Sequence, residues 1–173
     1  MNGCCFSGHR IRKLNLTEEQ IIKLKQRLNE IITGLCDDGV KEFFSGMAEG
    51  VDLMAAAEVI KIKKQRDIRL LGVVPFDGQE KAWSLAERAE YLRILDACDD
   101  VHILSPEYYK GCYFVRNQYM VDKCNTLLAV FNGSEGGTKF TMDYAVKKHK
   151  QVIVLNPETL EASILPVQLG LDI

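Results

Sequence analysis

The chain has 173 residues, 47% hydrophobic and 27% charged, with 22 basic and 24 acidic residues and a net charge of −2. That composition excludes a disordered, collagen-like or low-complexity chain, and it lacks the basic excess usual in nucleic-acid binders. The length suits one α/β domain over residues 1–173, able to bury roughly two thirds of its unfolded surface without staples.

No stretch approaches the roughly 18 apolar residues of a membrane span. The first ten residues lack a basic segment followed by a long apolar one, so no secretory signal is expected. The six cysteines, Cys4, Cys5, Cys36, Cys98, Cys112 and Cys124, form no C-x-x-C pair. Neither a metal site nor a disulfide framework is expected, and the thiols should be reduced in a cytoplasm.

In chain order, Gly3–Phe6 reads as a first strand. Thr17 with Gln20 reads as a capping box. Ile21, Leu24, Leu28, Ile31 and Leu35 follow at helical spacing and should face a sheet. Val40–Phe44 is the second strand, and alanine-rich Val51–Arg66 a helix with basic residues at its end, where cations suit the dipole. Arg69–Val74 is the third strand, Lys81–Ala97 a helix, Val101–Leu104 the fourth strand and Gly111–Lys123 a helix. Thr126–Phe131, a helix over Thr138–Lys148 and a strand over Gln151–Leu155 complete the series. The strands are mostly apolar throughout rather than alternating, which suits burial on both faces. Alternation of about six such strands with helices predicts a Rossmann-like, doubly wound, open parallel sheet with helices on both faces. The tail after Pro157 receives no assignment.

Such sheets bind ligands outside the carboxyl ends of their strands. The loops expected there carry the unusual residues: Ser7-Gly8-His9-Arg10, then Ser45 through Asp52 with Gly46 and Gly50, then Pro75-Phe76-Asp77-Gly78-Gln79, then Asn132-Gly133-Ser134-Glu135-Gly136-Gly137-Thr138. Glycine lets backbone approach a ligand, and free N–H groups at a helix start attract an anion, so Gly136-Gly137-Thr138 reads as a phosphate cradle. No P-loop and no G-x-G-x-x-G fingerprint is present, which disfavours an ordinary dehydrogenase. Arg10 and Arg116 are candidate partners of phosphate, with Asn117 and Asp122 adding polar groups beside Arg116. Asp52 is a candidate for ribose hydroxyls, and Phe76, Gln79 and Trp83 for the base. His9 titrates near neutrality when unperturbed but has no evident nucleophile partner.

Phe6–Arg10, Ser45–Asp52 and Pro75-Phe76 with Gln79 and Trp83 together resemble the YpsA-like family of Gram-positive bacteria. That family is part of the SLOG superfamily, named for the DNA-processing protein DprA (Smf) and the Lonely Guy enzymes. The resemblance runs from about Gly3 to Leu155. It implies a Rossmann-like fold and a regulatory, ligand-sensing protein whose ligand is nucleotide-derived, such as ADP-ribose, NAD or AMP. It also implies a protein partner in regulation or a homodimer; nucleic acid and membrane are not expected partners.

Lonely Guy enzymes split nucleoside monophosphates and carry an arginine on a helix followed by P-G-G-x-G-T-x-x-E. Arg116 and the loop Asn132–Thr138 are similar to that signature, with an altered glycine pattern. Thr141 stands where the resemblance would place the catalytic glutamate, and Asp143 lies roughly 200° further round the helix. The phosphate cradle is thus expected to be kept and the hydrolytic carboxylate lost. A nucleotide N-glycosidase using Glu49, Glu135 or Asp143 is the alternative. The segment from Ser45 also resembles the DprA pattern S-G-x-A-x-G-x-D, which makes single-stranded DNA binding a third reading.

Overall fold

The computed structural model describes residues 2–166. Met1 and residues 167–173, which belong to the expected domain over 1–173, lie outside the described residues.

Apolar residues on adjacent positions of a strand must be covered on both faces, because successive side chains point to opposite sides. This requirement shapes the fold. Seven strands form one sheet: β1 (Gly3–Gly8), β2 (Glu42–Ser45), β3 (Arg69–Val74), β4 (Asp100–Ile103), β5 (Thr126–Val130), β6 (Gln151–Leu155) and β7 (Ala162–Leu165). Their spatial order is β4-β3-β2-β1-β5-β6-β7. Every pairing is parallel except β6 with β7, where Val152 faces Leu165 and Leu155 faces Ala162.

The helices are α1 (Ile11–Leu14), α2 (Glu18–Asp37), α3 (Val51–Lys63), α4 (Leu85–Ala97), α5 (Cys112–Lys123) and α6 (Gly137–Lys147). Cys4 and Phe6 of β1 point into a core shared with α2, α3 and α4, while Cys5 points into a second core with α5 and α6. Phe43 and Phe44 divide between the same two cores. The expected sandwich of helices on both faces is therefore present.

Local signals set most boundaries. Thr17 and Gln20 form the capping box that starts α2, with Gln20 N–H donating to Thr17 Oγ1 at 3.2 Å. The buried stripe of α2 is Leu24, Leu28, Ile32 and Leu35; Ile21 and Ile31, expected on that stripe, lie at its margin. The helix expected over Lys81–Ala97 is split. A 3₁₀ turn occupies Gln79–Ala82, and Ser84 caps α4 by accepting from the Glu87 N–H at 3.3 Å. Ser84 competes for the backbone N–H groups of the next turn, so it starts a helix better than it continues one. Helix α3 ends at Lys63, short of the expected Arg66.

The first strand is longer than expected and lies at the centre, paired with both β2 and β5. The seventh strand corrects the expectation of about six and places Ala162–Leu165, part of the tail after Pro157, in the sheet. Asn156 builds the turn before it: its Oδ1 accepts from the N–H groups of Glu158 at 2.8 Å and Thr159 at 3.1 Å.

The loop after β1 docks on the start of α3. Val51 N–H donates to the His9 carbonyl at 3.3 Å. Gly50 permits this approach, with φ at +99° and the Arg10 Cα and His9 carbonyl oxygen each 2.7 Å from where a Cβ would stand. Neither contact is with a flexible side chain, so neither can be relieved cheaply. Gly50→Ala is expected to cost about 2–4 kcal/mol. Thermal unfolding should show a loss of about 5–15 °C.

Candidate functional site

Strand β1 is the point where the winding direction reverses: β2, β3 and β4 lie on one side of it and β5, β6 and β7 on the other. The loops after β1 and β5 therefore diverge at the carboxyl edge and leave a crevice, the usual ligand position in such sheets. One bank is Gly8-His9-Arg10 and the other is the loop from Phe131 to Gly136. They meet at one place, where the His9 ring lies over Phe131 with centroids 6.2 Å apart and its Nε2 is 3.2 Å from Ser134 Oγ. Burial lowers the His9 pKa and Lys13 lowers it further, which favours the neutral imidazole.

Across the crevice stands the amino end of α6. Gly136 precedes it with φ at +142°, and Gly133 has φ at +92°. A Cβ at Gly133, Gly136 or Gly137 would meet no atom within 4 Å, so the backbone there is open to an approaching molecule. Phe140 donates the helix's first backward bond, to the Gly136 carbonyl at 3.0 Å. The N–H groups of the first turn before it lack intrahelical partners and carry the positive end of the dipole. Thr138 sits in this turn, buried, and Asn132 holds the loop by accepting from Ser134 N–H at 3.2 Å and from its hydroxyl at 2.7 Å.

Beneath the crevice lies a buried charge pair. Arg116 on α5 and Asp52 on α3 are each 6% exposed, with Arg116 Nη1 3.7 Å from Asp52 Oδ2. The same guanidinium donates from Nη1 to the Gly46 carbonyl and from Nε to Asn117 Oδ1 at 2.7 Å. Asp52, expected beside ribose, has its Oδ2 engaged by Arg116 and by the Ala48 N–H at 3.4 Å. Burial pushes the Asp52 pKa up to about 6, against the pull of Arg116 and that N–H. Burial likewise disfavours the Arg116 charge, which Asp52 supports.

This network fixes the whole β2–α3 loop. Ser45 Oγ accepts from Met47 N–H at 3.2 Å and donates to the Asp52 carbonyl at 3.1 Å. Gln79 Nε2 donates to the Met47 carbonyl at 2.9 Å, so Gln79, expected near the base, is a buried brace of this loop. Met47 itself is held at φ +55°. Gly46 must lack a side chain, because a Cβ would stand 2.6 Å from Asp52 Oδ2 and would also strike the Arg116 guanidinium.

Glu49 was missed as a crevice residue outside the hydrolytic alternative. It is a buried carboxylate whose Oε1 accepts from Arg12 Nη2 at 3.2 Å and forms an ion pair with Arg10 Nη1 at 3.2 Å. Both arginines are mostly exposed. They line a cavity of about 620 Å³ together with Glu49, Phe76, Gln79, Trp83 and Tyr113. Trp83 also packs edge-on against Tyr91 at 5.3 Å, which ties it to the core. Pro75 is buried behind Phe76, and Ser7 is buried inside β1 opposite Ala129.

Asp122 is not at the site. It lies six residues beyond Arg116 on α5, about 9 Å along the axis, where it is exposed and bound to Tyr144 Oη at 3.1 Å. Thr141 is buried; its hydroxyl donates to the Gly137 carbonyl at 2.8 Å and accepts from Asn117 Nδ2 at 2.9 Å. Asp143 is exposed and paired with Lys139 at 2.5 Å, and Glu135 is exposed. Among the described residues no group of three or more His, Cys, Asp or Glu is placed to hold a metal ion, and no helix is long and apolar enough to cross a membrane.

A mostly parallel sheet with its switch at β1, a glycine loop before α6 and a braced S-G loop after β2 define a Rossmann-like α/β protein. Comparison with known proteins places it further. Residues 4–160 match the YpsA model, described as the YspA SLOG family, and the chain belongs to that family. It is 29% identical over 164 residues to a UPF0398 protein of Halalkalibacterium halodurans, covering 90% of this chain and 87% of that one. It is 30% identical over 144 residues to the uncharacterized SPbeta prophage-derived protein YoqJ of Bacillus subtilis, covering 75% and 84%.

Among solved structures it resembles DNA processing protein A of Helicobacter pylori, described for its single-stranded DNA binding mode, with a TM-score of 0.61 and 16% identity. It also resembles DprA of Streptococcus pneumoniae, with a TM-score of 0.62 and 14% identity. Both matches cover 90% of this chain but only 65% and 50% of those longer chains. At such identities the likeness is one of fold.

Two outcomes follow from the buried pair. Arg116→Met strands the Asp52 carboxylate and should cost about 3–5 kcal/mol, while Arg116→Met with Asp52→Leu should recover most of the loss. Denaturant unfolding of both variants measures this. The second outcome concerns pH. A folded pKa above the unfolded value gives stability that is present in full below about pH 4 and is lost as pH rises through about 6. The melting temperature of the wild type relative to Asp52→Asn should therefore fall between pH 4 and pH 7.

Proposed function

We propose that this chain is a ligand-binding regulatory protein whose crevice takes a phosphorylated, nucleotide-derived molecule such as AMP, ADP-ribose or NAD. The observation that supports it best is the open amino end of α6 at the switch point, where Gly136, Gly137 and Thr138 leave room and N–H groups for an anion. Gly8, His9, Arg10, Asn132 and Gly133 border the same crevice. Arg10 supplies a cation at its mouth. Arg116, Asn117 and Asp52 act from below: they hold Gly46 and Gly50 close to the space the ligand occupies.

The reading is of a binder rather than a hydrolase. A carboxylate that protonates a leaving base must reach the reacting atoms in a suitable protonation state. Thr141 offers a hydroxyl already used to secure α6. Asp143 and Glu135 face solvent, and Glu49 is shared between two arginines. Binding would act by favouring one conformation or one partner surface.

Thermal unfolding with AMP, ADP-ribose, NAD and a short single-stranded DNA tests this. A ligand at about one hundred times its Kd stabilises by about 2.7 kcal/mol, a rise of about 5–10 °C at this size. Gly137→Asp places a carboxylate in the cradle and should abolish the rise. Release of free base in the same tube would instead support the N-glycosidase, and a salt-sensitive shift with DNA alone would support the third reading.

A further inference from the structure

Resting on the phosphate reading above, we infer that the planar ring of the ligand lies on an open aromatic cluster formed by Phe76, Tyr108 and Tyr113. The molecule is accordingly a nucleoside phosphate and not a sugar phosphate. The three rings come from separate segments: Phe76 follows β3, Tyr108 follows β4, and Tyr113 stands in the first turn of α5. Phe76 meets Tyr108 at 5.5 Å and 78°, and Tyr113 at 6.1 Å and 74°. Tyr108 and Tyr113 are 6.4 Å apart. Perpendicular packing covers one ring face per pair where parallel stacking covers two, so flat aromatic area remains available.

That area faces outward. Tyr108 is 60% exposed and Tyr113 38% exposed. Phe76 and Tyr113 also line the cavity of about 620 Å³, a volume within the range of small-ligand sites. Arg10 and Arg12 stand at its wall, near enough for Arg10 to bear on the Tyr113 hydroxyl. Arg116 lies one turn below Tyr113 on α5, so the helix that carries the ring also carries the residue anchoring the β2 loop.

The occupant is a mononucleotide-class molecule rather than a nucleic-acid strand. Glu49 holds Arg10 and Arg12, and Glu87 lines the same cavity, so two carboxylates offset two of the three cations on its wall, Arg10, Arg12 and Lys81, and leave a single positive charge rather than a track. A strand-binding groove needs an uncompensated cationic track beside its rings.

The test compares AMP and ADP-ribose with ribose 5-phosphate by titration calorimetry, on the wild type and on Tyr113→Leu and Tyr108→Ser. Both tyrosines are exposed, and unchanged melting temperatures verify that the variants fold. The wild type should bind AMP or ADP-ribose at least about fivefold more tightly than ribose 5-phosphate, the lower end of what stacking one base provides. Tyr113→Leu should erase most of that difference and leave ribose 5-phosphate unchanged. Equal affinity for the nucleotide and the sugar phosphate in the wild type overturns the aromatic site and leaves the phosphate cradle standing. Binding of none of the three overturns both readings. Retention of an oligothymidylate without binding of either nucleotide overturns the mononucleotide assignment.

Discussion

The contact between Arg116 and Asp52 is the constraint on which the carboxyl edge depends. Two opposite charges lie out of water between α3 and α5, on opposite faces of the sheet. Such a pair gives little net stability, because desolvation offsets most of the attraction. What it gives is position. The guanidinium reaches the Gly46 carbonyl, the carboxylate reaches the Ala48 N–H, and Ser45 and Gln79 secure the residue between. A loop with Met47 in the left-handed region is held because its neighbours over-determine it.

The same economy governs α6. Buried Thr141 bonds back to the Gly137 carbonyl and accepts from Asn117. Asn117 in turn accepts from Arg116. One run of side chains thus connects the β2 loop, α5 and the start of α6. Disturbance at any of the three ends is felt along a chain of directed, buried hydrogen bonds rather than through soft packing.

Much of the architecture was legible because it follows from periodicity. Doubly apolar runs such as Arg69–Val74 and Gln151–Leu155 coincide with β3 and β6 residue for residue, and the Thr17–Gln20 box marks the true start of α2. The seventh strand was not legible: Ala162-Ser163-Ile164-Leu165 is only four residues long, broken by Ser163 and mostly exposed, so no apolar pattern marks it. Its pairing comes from the turn at Asn156, a tertiary arrangement. At the site, glycine positions revealed where loops meet, but roles depended on which side chains face each other across long separations. Asp52 and Arg116 are 64 positions apart, Gln79 and Met47 32. Spacing alone could not show that the first pair neutralises itself or that Gln79 turns inward. Nor could nearness in sequence show that Asp122 falls at the far end of α5.

The reversed direction of β7 has a consequence for how the protein is built upon. β1 begins, and β7 ends beside Val152, at the amino edge of the sheet, the side opposite the crevice. Both ends of the described fold thus leave from the floor while the loops work at the roof. The fold is shaped as a cassette: neighbouring domains, affinity handles or surface tethers joined at either end start out clear of the crevice mouth.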